Sequence, residues 1–292
     1  MSRSLTVVDS PDDPRIQAFR LRERELRPRR VPERVRQGMR PEDLERIEPG
    51  LFVAEGDLVV ERALAAGYRP RAVLTDATRP SPIALAMGDE VEVFAASAEA
   101  RRMLTGLGVA LDVIALFERR PLPSVDTVVQ NARRIVIAER VDNPTNVGAL
   151  VRSAVALGAD AFVLDHESSD PLARRALRVS MGTSLMLPHT RVRSIGELID
   201  RLHGDGVVTC ALTPDASAER IDDVARRLAP TDRIAVLLGS EREGLTDETM
   251  RTVRHRVRIP MAEPVDSLNV AAAAAVACFA LFRLSLSTSS GE

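Results

Sequence analysis

Short apolar runs and amphipathic stretches alternate through the second half of the chain. RIVIAE, DAFVLD, GVVTCAL, RIAVLLG and HRVRIP, from Arg134 onward, are rich in β-branched residues and predict strands. Between them, NVGALVRSAVALG and SIGELIDRLHG repeat apolar residues at three- and four-residue steps, which predicts helices. This alternation implies an α/β fold: a mostly parallel sheet with helices on both faces. Ligands of such sheets collect at the carboxyl ends of the strands.

The first half is patterned differently. Residues 41–117 read as a small α/β unit. In FVAEGDLVVERALAAG the helical spacing follows Gly56 and ends at Gly67, and RAVLTD follows as a strand. VEVFAA is a second strand, SAEARRMLTGL a helix that Ser97 caps, and VALDVIALF a third strand. The prolines of ERRPLPSVDT predict a linker over 118–130, and 131–292 form the second domain. Residues 1–40 read as a basic arm, with ten arginines against three glutamates between Arg15 and Arg40. The arm is either a solvated helix of Arg and Glu pairs or a surface that attracts phosphate, and the two are compatible.

Composition narrows the classes. A chain of 292 residues with 45% hydrophobic content supports one large or two modest globular domains. The net charge of −2 excludes uniform coating by nucleic acid but not a local basic surface. Every basic residue other than histidine is arginine, which fits phosphate-matching guanidinium forks and equally a GC-rich genome. Cys210 and Cys278 match neither a disulfide framework nor a zinc spacing, so a reducing cytoplasm is expected. His166, His189, His203 and His255 are scattered without ligand spacing, so no metal is expected. The start, MSRSLTVVDSPDDPR, lacks the apolar core of a signal peptide. Val270 to Phe282 falls short of the roughly 20 residues that cross a bilayer and reads as a buried helix, with no membrane role.

Three loops at predicted strand ends carry unusual residues. In ERVDNPTNVGALVRSA, Asn143-Pro144-Thr145 make a turn, Asn146 can begin a helix, Gly148 leaves space beside it, and Arg152 lies one turn beyond the glycine. In LLGSEREGL, Gly239, Ser240, Glu241 and Gly244 offer flexible backbone donors and one carboxylate. In IPMAEPVDSLNV, Pro260 ends a strand, and Asp266, Ser267 or Asn269 can cap the alanine helix; one cap suffices, so the cluster leaves polar groups for a ligand. Taken singly, each loop is also explained by turning and capping alone.

In order and spacing the three resemble the SpoU family of RNA ribose methyltransferases, also called the TrmH family, in the SPOUT superfamily. The matching residues are Asn146-x-Gly148-x-x-x-Arg152, Gly239-x-Glu241-x-x-Gly244-Leu245, and Ile259-Pro260-Met261 with Ser267-Leu268-Asn269-Val270. ALRVSMGTSLMLP is similar to the family's segment between the first two motifs, and FVAEGDLVVERALAAGYRPRAVL to its N-terminal substrate-binding domain. Glu263 and Pro264 depart from the pattern, since members often have glycine there.

The resemblance implies a C-terminal SPOUT domain with a deep trefoil knot, preceded by a small α/β substrate-binding domain. Ala271 to Ala275 would let the last helix pack closely where the chain is threaded. It further implies transfer of a methyl group from S-adenosylmethionine to a ribose 2'-hydroxyl of structured RNA, ribosomal RNA ahead of transfer RNA, by a cytoplasmic homodimer. The implied cofactor residues are Leu212, Leu238, Gly239, Ser240, Gly244, Ile259, Met261, Ser267, Leu268 and Asn269. The implied catalytic residues are Arg152, Asn146, Glu241, Ser267 and Asn269. Arginine stays protonated below a pKa of roughly 12, so Arg152 is read as holding a phosphate and the forming alkoxide, not as a base. A non-catalytic RNA-binding assembly factor is the rival reading. A dinucleotide enzyme is disfavoured because Asn143 to Gly148 stands where a GxGxxG turn belongs.

Overall fold

The computed structural model describes residues 5–26, 50–229, 231–264 and 267–282. They fall into two compact units, the described residues within 1–121 and 172–186 forming one and those within 122–171 and 187–292 the other.

The first unit is built on a mixed five-stranded sheet in the order β1-β4-β3-β5-β2. Its strands are β1 (Thr6–Val8), β2 (Leu51–Glu55), β3 (Pro70–Asp76), β4 (Glu92–Ala96) and β5 (Val113–Glu118). β1, β4 and β3 run parallel, while β5 is antiparallel to both β3 and β2. Sequence patterning predicts three of these strands. The other two hide because β1 is three residues long and LFVAE runs directly into a helix.

Among the described residues this part of the chain carries the α-helices α1 (Glu23–Leu26), α2 (Asp57–Ala65), α3 (Pro82–Leu85) and α4 (Ala98–Thr105). Ser97 Oγ accepts from Ala100 N at 3.2 Å and caps α4, as its position predicts, and Gly67 with a φ of 75° turns the chain after α2. One face of the sheet is packed by Phe52, Val60, Val73 and Phe117, the two phenylalanine rings stacking 5.4 Å apart. Ile16, Phe19, Leu26, Leu74 and Ile114 pack the other.

This second cluster corrects the reading of a basic arm. Ile16 and Phe19 are fully buried, so the first part of the arm is core of the unit. Its arginines are matched by local carboxylates, Arg15 by Asp13 and Arg20 by Asp12. The rest of the arm lies outside the described residues.

Residues 172–186, with helix α7 (Arg174–Val179), lie between two strands of the second unit in sequence but pack in the first. Leu172, Leu177 and Leu185 join the Phe52 cluster, and Arg174 and Arg178 meet the buried carboxylate of Glu55. The unit is therefore discontinuous in the chain, which no contiguous division by composition anticipates.

The second unit carries seven strands in the order β10-β12-β9-β11-β6-β7-β8, every pair parallel. They are β6 (Arg134–Ala138), β7 (Ala161–Leu164), β8 (His189–Arg191), β9 (Val207–Leu212), β10 (Glu219–Arg220), β11 (Arg233–Leu238) and β12 (His255–Arg258). Strands covered on both faces must be apolar at successive positions, and Ile135, Val136, Ile137 and Ala138 are all fully buried. The helices are α5 (Val125–Val129), α6 (Pro144–Ala156), α8 (Ile195–Gly204), α9 (Ile221–Arg227), α10 (Asp247–Thr252) and α11 (Val270–Phe282). α5 corrects the linker: Ser124 Oγ accepts from Thr127 N at 3.2 Å and starts a helix past the prolines.

α11 packs against α6, α9 and β11. Ala271, Ala274 and Ala277 are buried at three-residue intervals, and with no side chain beyond Cβ they permit close approach of the α6 face that carries Val147, Leu150 and Val151. The helix is apolar all round, so its far side leaves Val276 partly exposed and Phe279 76% exposed. Among the described residues no helix is long and apolar enough to cross a membrane.

Candidate active site

In an all-parallel sheet every strand delivers its following loop to the same edge. Strands β6, β11, β9 and β12 are successive neighbours, and their last residues are in register: Ala138 with Leu238, Ala211 with Leu237, Leu212 with Val257. The three loops found in the sequence follow β6, β11 and β12, so they share one edge.

The first loop is shorter than its spacing predicts. Asn143 is the cap, its Oδ1 accepting from Thr145 N at 2.9 Å, and α6 begins at Pro144, where a missing N–H costs nothing. Asn146 thus lies inside the first turn and is buried, which corrects its role as helix start.

The second loop is closed on itself. Ser240 N donates to Gly244 O at 3.2 Å and Gly244 N to Ser240 O at 3.0 Å. A Cβ on Gly239 would stand 2.1 Å from the carbonyl carbon of Gly244, and Gly244 has a φ of 72°. Both glycines are needed for this fold-back. The expectation of flexible backbone donors is corrected here, because the Ser240 and Gly244 amides bond each other.

The third loop supplies the junction. Asn269 Oδ1 accepts from Ala271 N at 3.0 Å and caps α11. Its Nδ2 donates to Asn146 Oδ1 at 3.1 Å and to Glu241 Oε1 at 2.5 Å. One amide therefore ties all three loops together. Ser267 and Leu268 precede it on the exposed side of the loop, Leu268 at 41% exposure, and Asp266 lies outside the described residues. Ile259 and Met261, half-buried, follow β12, and Leu212 and Leu238 end β9 and β11.

Arg152 lies further along the same helix. It is six residues beyond Asn146, roughly 9 Å along the axis and about 120° around it, on the exposed side of α6. Glu139, which the motif spacing does not single out, is buried beside the second loop and accepts from Thr246 and Thr249. An ionisable residue directly after a continuous apolar strand was the available signal.

The remaining candidates are structural. Burial pushes the thiols of Cys210 and Cys278 up to about 12, so neither is a nucleophile near neutral pH. His203 is lowered from its ordinary value, first by burial and then by the nearby Arg254 charge, and its Nε2 lies 2.8 Å from Thr209 Oγ1. Among the described residues no group of three or more His, Cys, Asp or Glu is arranged to hold a metal.

A parallel α/β sheet with three loops joined at its carboxyl edge is the arrangement at which such sheets gather ligands, and comparison specifies the family. The family model of the SpoU rRNA methylases matches residues 133–279. An uncharacterized tRNA/rRNA methyltransferase of Mycobacterium bovis is 36% identical over 274 residues, 93% of this chain and 90% of its own length. The 23S rRNA (guanosine(2553)-2'-O)-methyltransferase RlmP of Bacillus subtilis is 27% identical, over 81% of this chain and 90% of its own. The SpoU methyltransferase AviRb from Streptomyces viridochromogenes, solved in complex with AdoMet, superposes with a TM-score of 0.68 at 25% identity, over 87% of this chain and 98% of that one. The AdoMet-bound rRNA methyltransferase from Sinorhizobium meliloti shares the fold, with a TM-score of 0.73 at 24% identity over 96% and 98% of the two chains. The chain belongs to the SpoU rRNA methylase family of RNA methyltransferases.

Proposed function

We propose that this protein transfers a methyl group from S-adenosylmethionine to a ribose 2'-hydroxyl of structured RNA, with ribosomal RNA the favoured substrate and transfer RNA the second reading. The observation that carries the proposal is the Asn269 amide holding Asn146 and Glu241 at one point. The cofactor suits the donor set: apolar strand ends at Leu212, Leu238, Ile259 and Met261 offer a surface for an adenine ring, and Glu241 a carboxylate for a cationic ligand. Gly239, Ser240, Gly244, Ser267, Leu268 and Asn269 complete its site. When bound, it supplies a methyl group already activated by the sulfonium charge.

The residues of the chain then have mainly to align and to stabilise. Asn146, Glu241, Ser267 and Asn269 orient the ribose. Arg152, permanently charged, holds the neighbouring phosphate and the alkoxide that forms as the hydroxyl proton passes to solvent water. Its place on the exposed side of α6 supports a homodimer in which each Arg152 serves the partner's site. The exposed Val276 and Phe279 face of α11 supports the same assembly, as a surface a second copy would cover. The close alanine packing of α11 supports the trefoil knot. The first unit and the arginine-rich segment are assigned to gripping RNA phosphates in a cytoplasmic enzyme.

The test is Arg152→Ala in a tritiated-methyl assay on ribosomal and transfer RNA. Transfer is expected to vanish while S-adenosylmethionine affinity, read by calorimetry, stays within about twofold; retained transfer sinks the assignment. Light scattering that finds a fully active monomer removes the shared site.

A further inference from the structure

Glu139 is the first residue past β6, and only 5% of it is exposed. Its backbone N donates to Leu238 O at 2.9 Å. Its Oε2 accepts from Thr246 N at 3.0 Å, and its Oε1 from Thr246 Oγ1 at 2.9 Å and Thr249 Oγ1 at 3.0 Å. Leu238 and Thr246 are the residues on either side of the loop Gly239–Leu245. One residue therefore holds both ends of that loop, its main chain the entry and its carboxylate the exit.

The loop's interior is already closed by the Ser240 and Gly244 bonds, so the variable left is where it stands relative to α6 and α11. That position decides whether Glu241 meets Asn269. The turn carrying Glu139 is itself fixed from the opposite side: Arg140 N donates to Asp165 Oδ2 at 3.0 Å and Val141 N to Ser168 Oγ at 3.0 Å. Arg140, with a φ of 57°, also reaches Glu243 at 3.0 Å, a half-exposed pair that solvent screens. The buried hydrogen bonds of Glu139 set the geometry.

The residue type follows from the donors. Three donors converge on one side chain, and a carboxylate offers acceptors at both oxygens. A glutamine would have to turn its oxygen to the Thr246 N–H, which cannot rotate, and its amide to two hydroxyls, one of which already accepts from Thr249 N at 3.2 Å. It keeps the volume of Glu139 but reverses the two hydroxyl bonds, which both hydroxyls must rotate to accommodate.

We infer that Glu139 is a positioning residue for methyl transfer, setting the loop Gly239–Leu245, and Glu241 with it, against Asn146 and Asn269. The inference rests on the methyltransferase reading above.

Wild-type full-length protein is measured first for S-adenosylmethionine binding and rRNA methylation. Glu139→Gln is then expected to raise the KM and Kd for S-adenosylmethionine by about tenfold, the scale of one mis-set buried hydrogen bond. The KM for RNA should stay within about twofold and kcat should fall less than the cofactor KM rises. A purely structural role would lower the melting temperature and leave the cofactor constants of the folded protein unchanged, which overturns the proposal alone. A wild-type chain that neither binds the cofactor nor methylates RNA overturns the underlying reading together with it. Should Glu139→Gln fail to fold, Thr249→Val removes one donor of the three; a shift of about threefold in the same constants supports the proposal, and unchanged constants overturn it.

Discussion

The two sheets of this protein put their polar groups to different uses. In the first unit the sheet is mixed, so strand ends are divided between two edges, and its buried charges are paired as bolts. Arg101, 1% exposed, donates to Asp76 and to the carbonyls of Ala96 and Leu111, and Glu55 meets Arg174 and Arg178. In the second unit the sheet is all parallel, four neighbouring strands deliver loops to one edge, and amides and hydroxyls gather there around the carboxylates of Glu139 and Glu241. The lesson is that topology decides where chemistry can be assembled. A mixed sheet can be stiffened by ion pairs, whereas a parallel one can also concentrate loops.

The comparison can be broken at its strongest point first. Arg101→Met removes the buried partner of Asp76, whose carboxylate is partly exposed and keeps its bonds from Thr78 and Arg79, and strips the Ala96 and Leu111 carbonyls of a donor. The first unit is expected to lose about 3 kcal/mol, read from a urea transition, with S-adenosylmethionine affinity unchanged; a loss below about 1 kcal/mol would show the pair to be ornamental. Next in size, Asn269→Ala severs the junction of the second unit. Methyl transfer is expected to drop about 100-fold, with a melting temperature lowered only by the lost cap, about 1 kcal/mol; full activity would disprove the shared use of this amide.

A smaller effect follows from acid. Hydrogen bonds from Thr78 lead the causes that hold the Asp76 carboxyl down at about 2, against 3.8 unperturbed, with Arg101 assisting. A lowered folded value means stability present above pH 4 and lost as pH falls through 2. The stability gap between wild type and Asp76→Asn, taken from urea midpoints at pH 5, 3 and 2, should therefore narrow downward; a constant gap contradicts the linkage. The smallest effect is null by design. At pH 8 Cys210 and Cys278 should resist a thiol reagent in the native protein and both react in denaturant, since burial raises each thiol to about 12.

Much of the second unit is legible in the sequence. The five strands named from β-branched runs are all present, because strands buried on both faces need continuous apolar residues and leave a clear mark. β8 and β10 are missing from that reading, being three and two residues long and too short for any period to register. Spacing also picked Asn146, Glu241 and Asn269, which the fold joins. It misjudged where α6 begins, since a proline at N1 reads equally well as a turn. The first unit was harder. Arg15 to Arg40 is so dominated by arginine that Ile16, Phe19 and Leu26 were hidden among charges, yet three buried side chains suffice to dock a segment.

Local pattern by itself determined the secondary elements of the parallel sheet and the residue types available at its loops, since both follow from periodicity and from the conformational demands of glycine, proline and caps. Three things were decided only in three dimensions. They are the joining of Asn146, Glu241 and Asn269 across more than 120 positions of chain, the bracket that Glu139 makes around a loop 100 residues away, and the passage of residues 172–186 into the first unit. Each depends on which strands become neighbours and which core takes a stray helix. Those are outcomes of the whole chain's packing, and no window of sequence contains them.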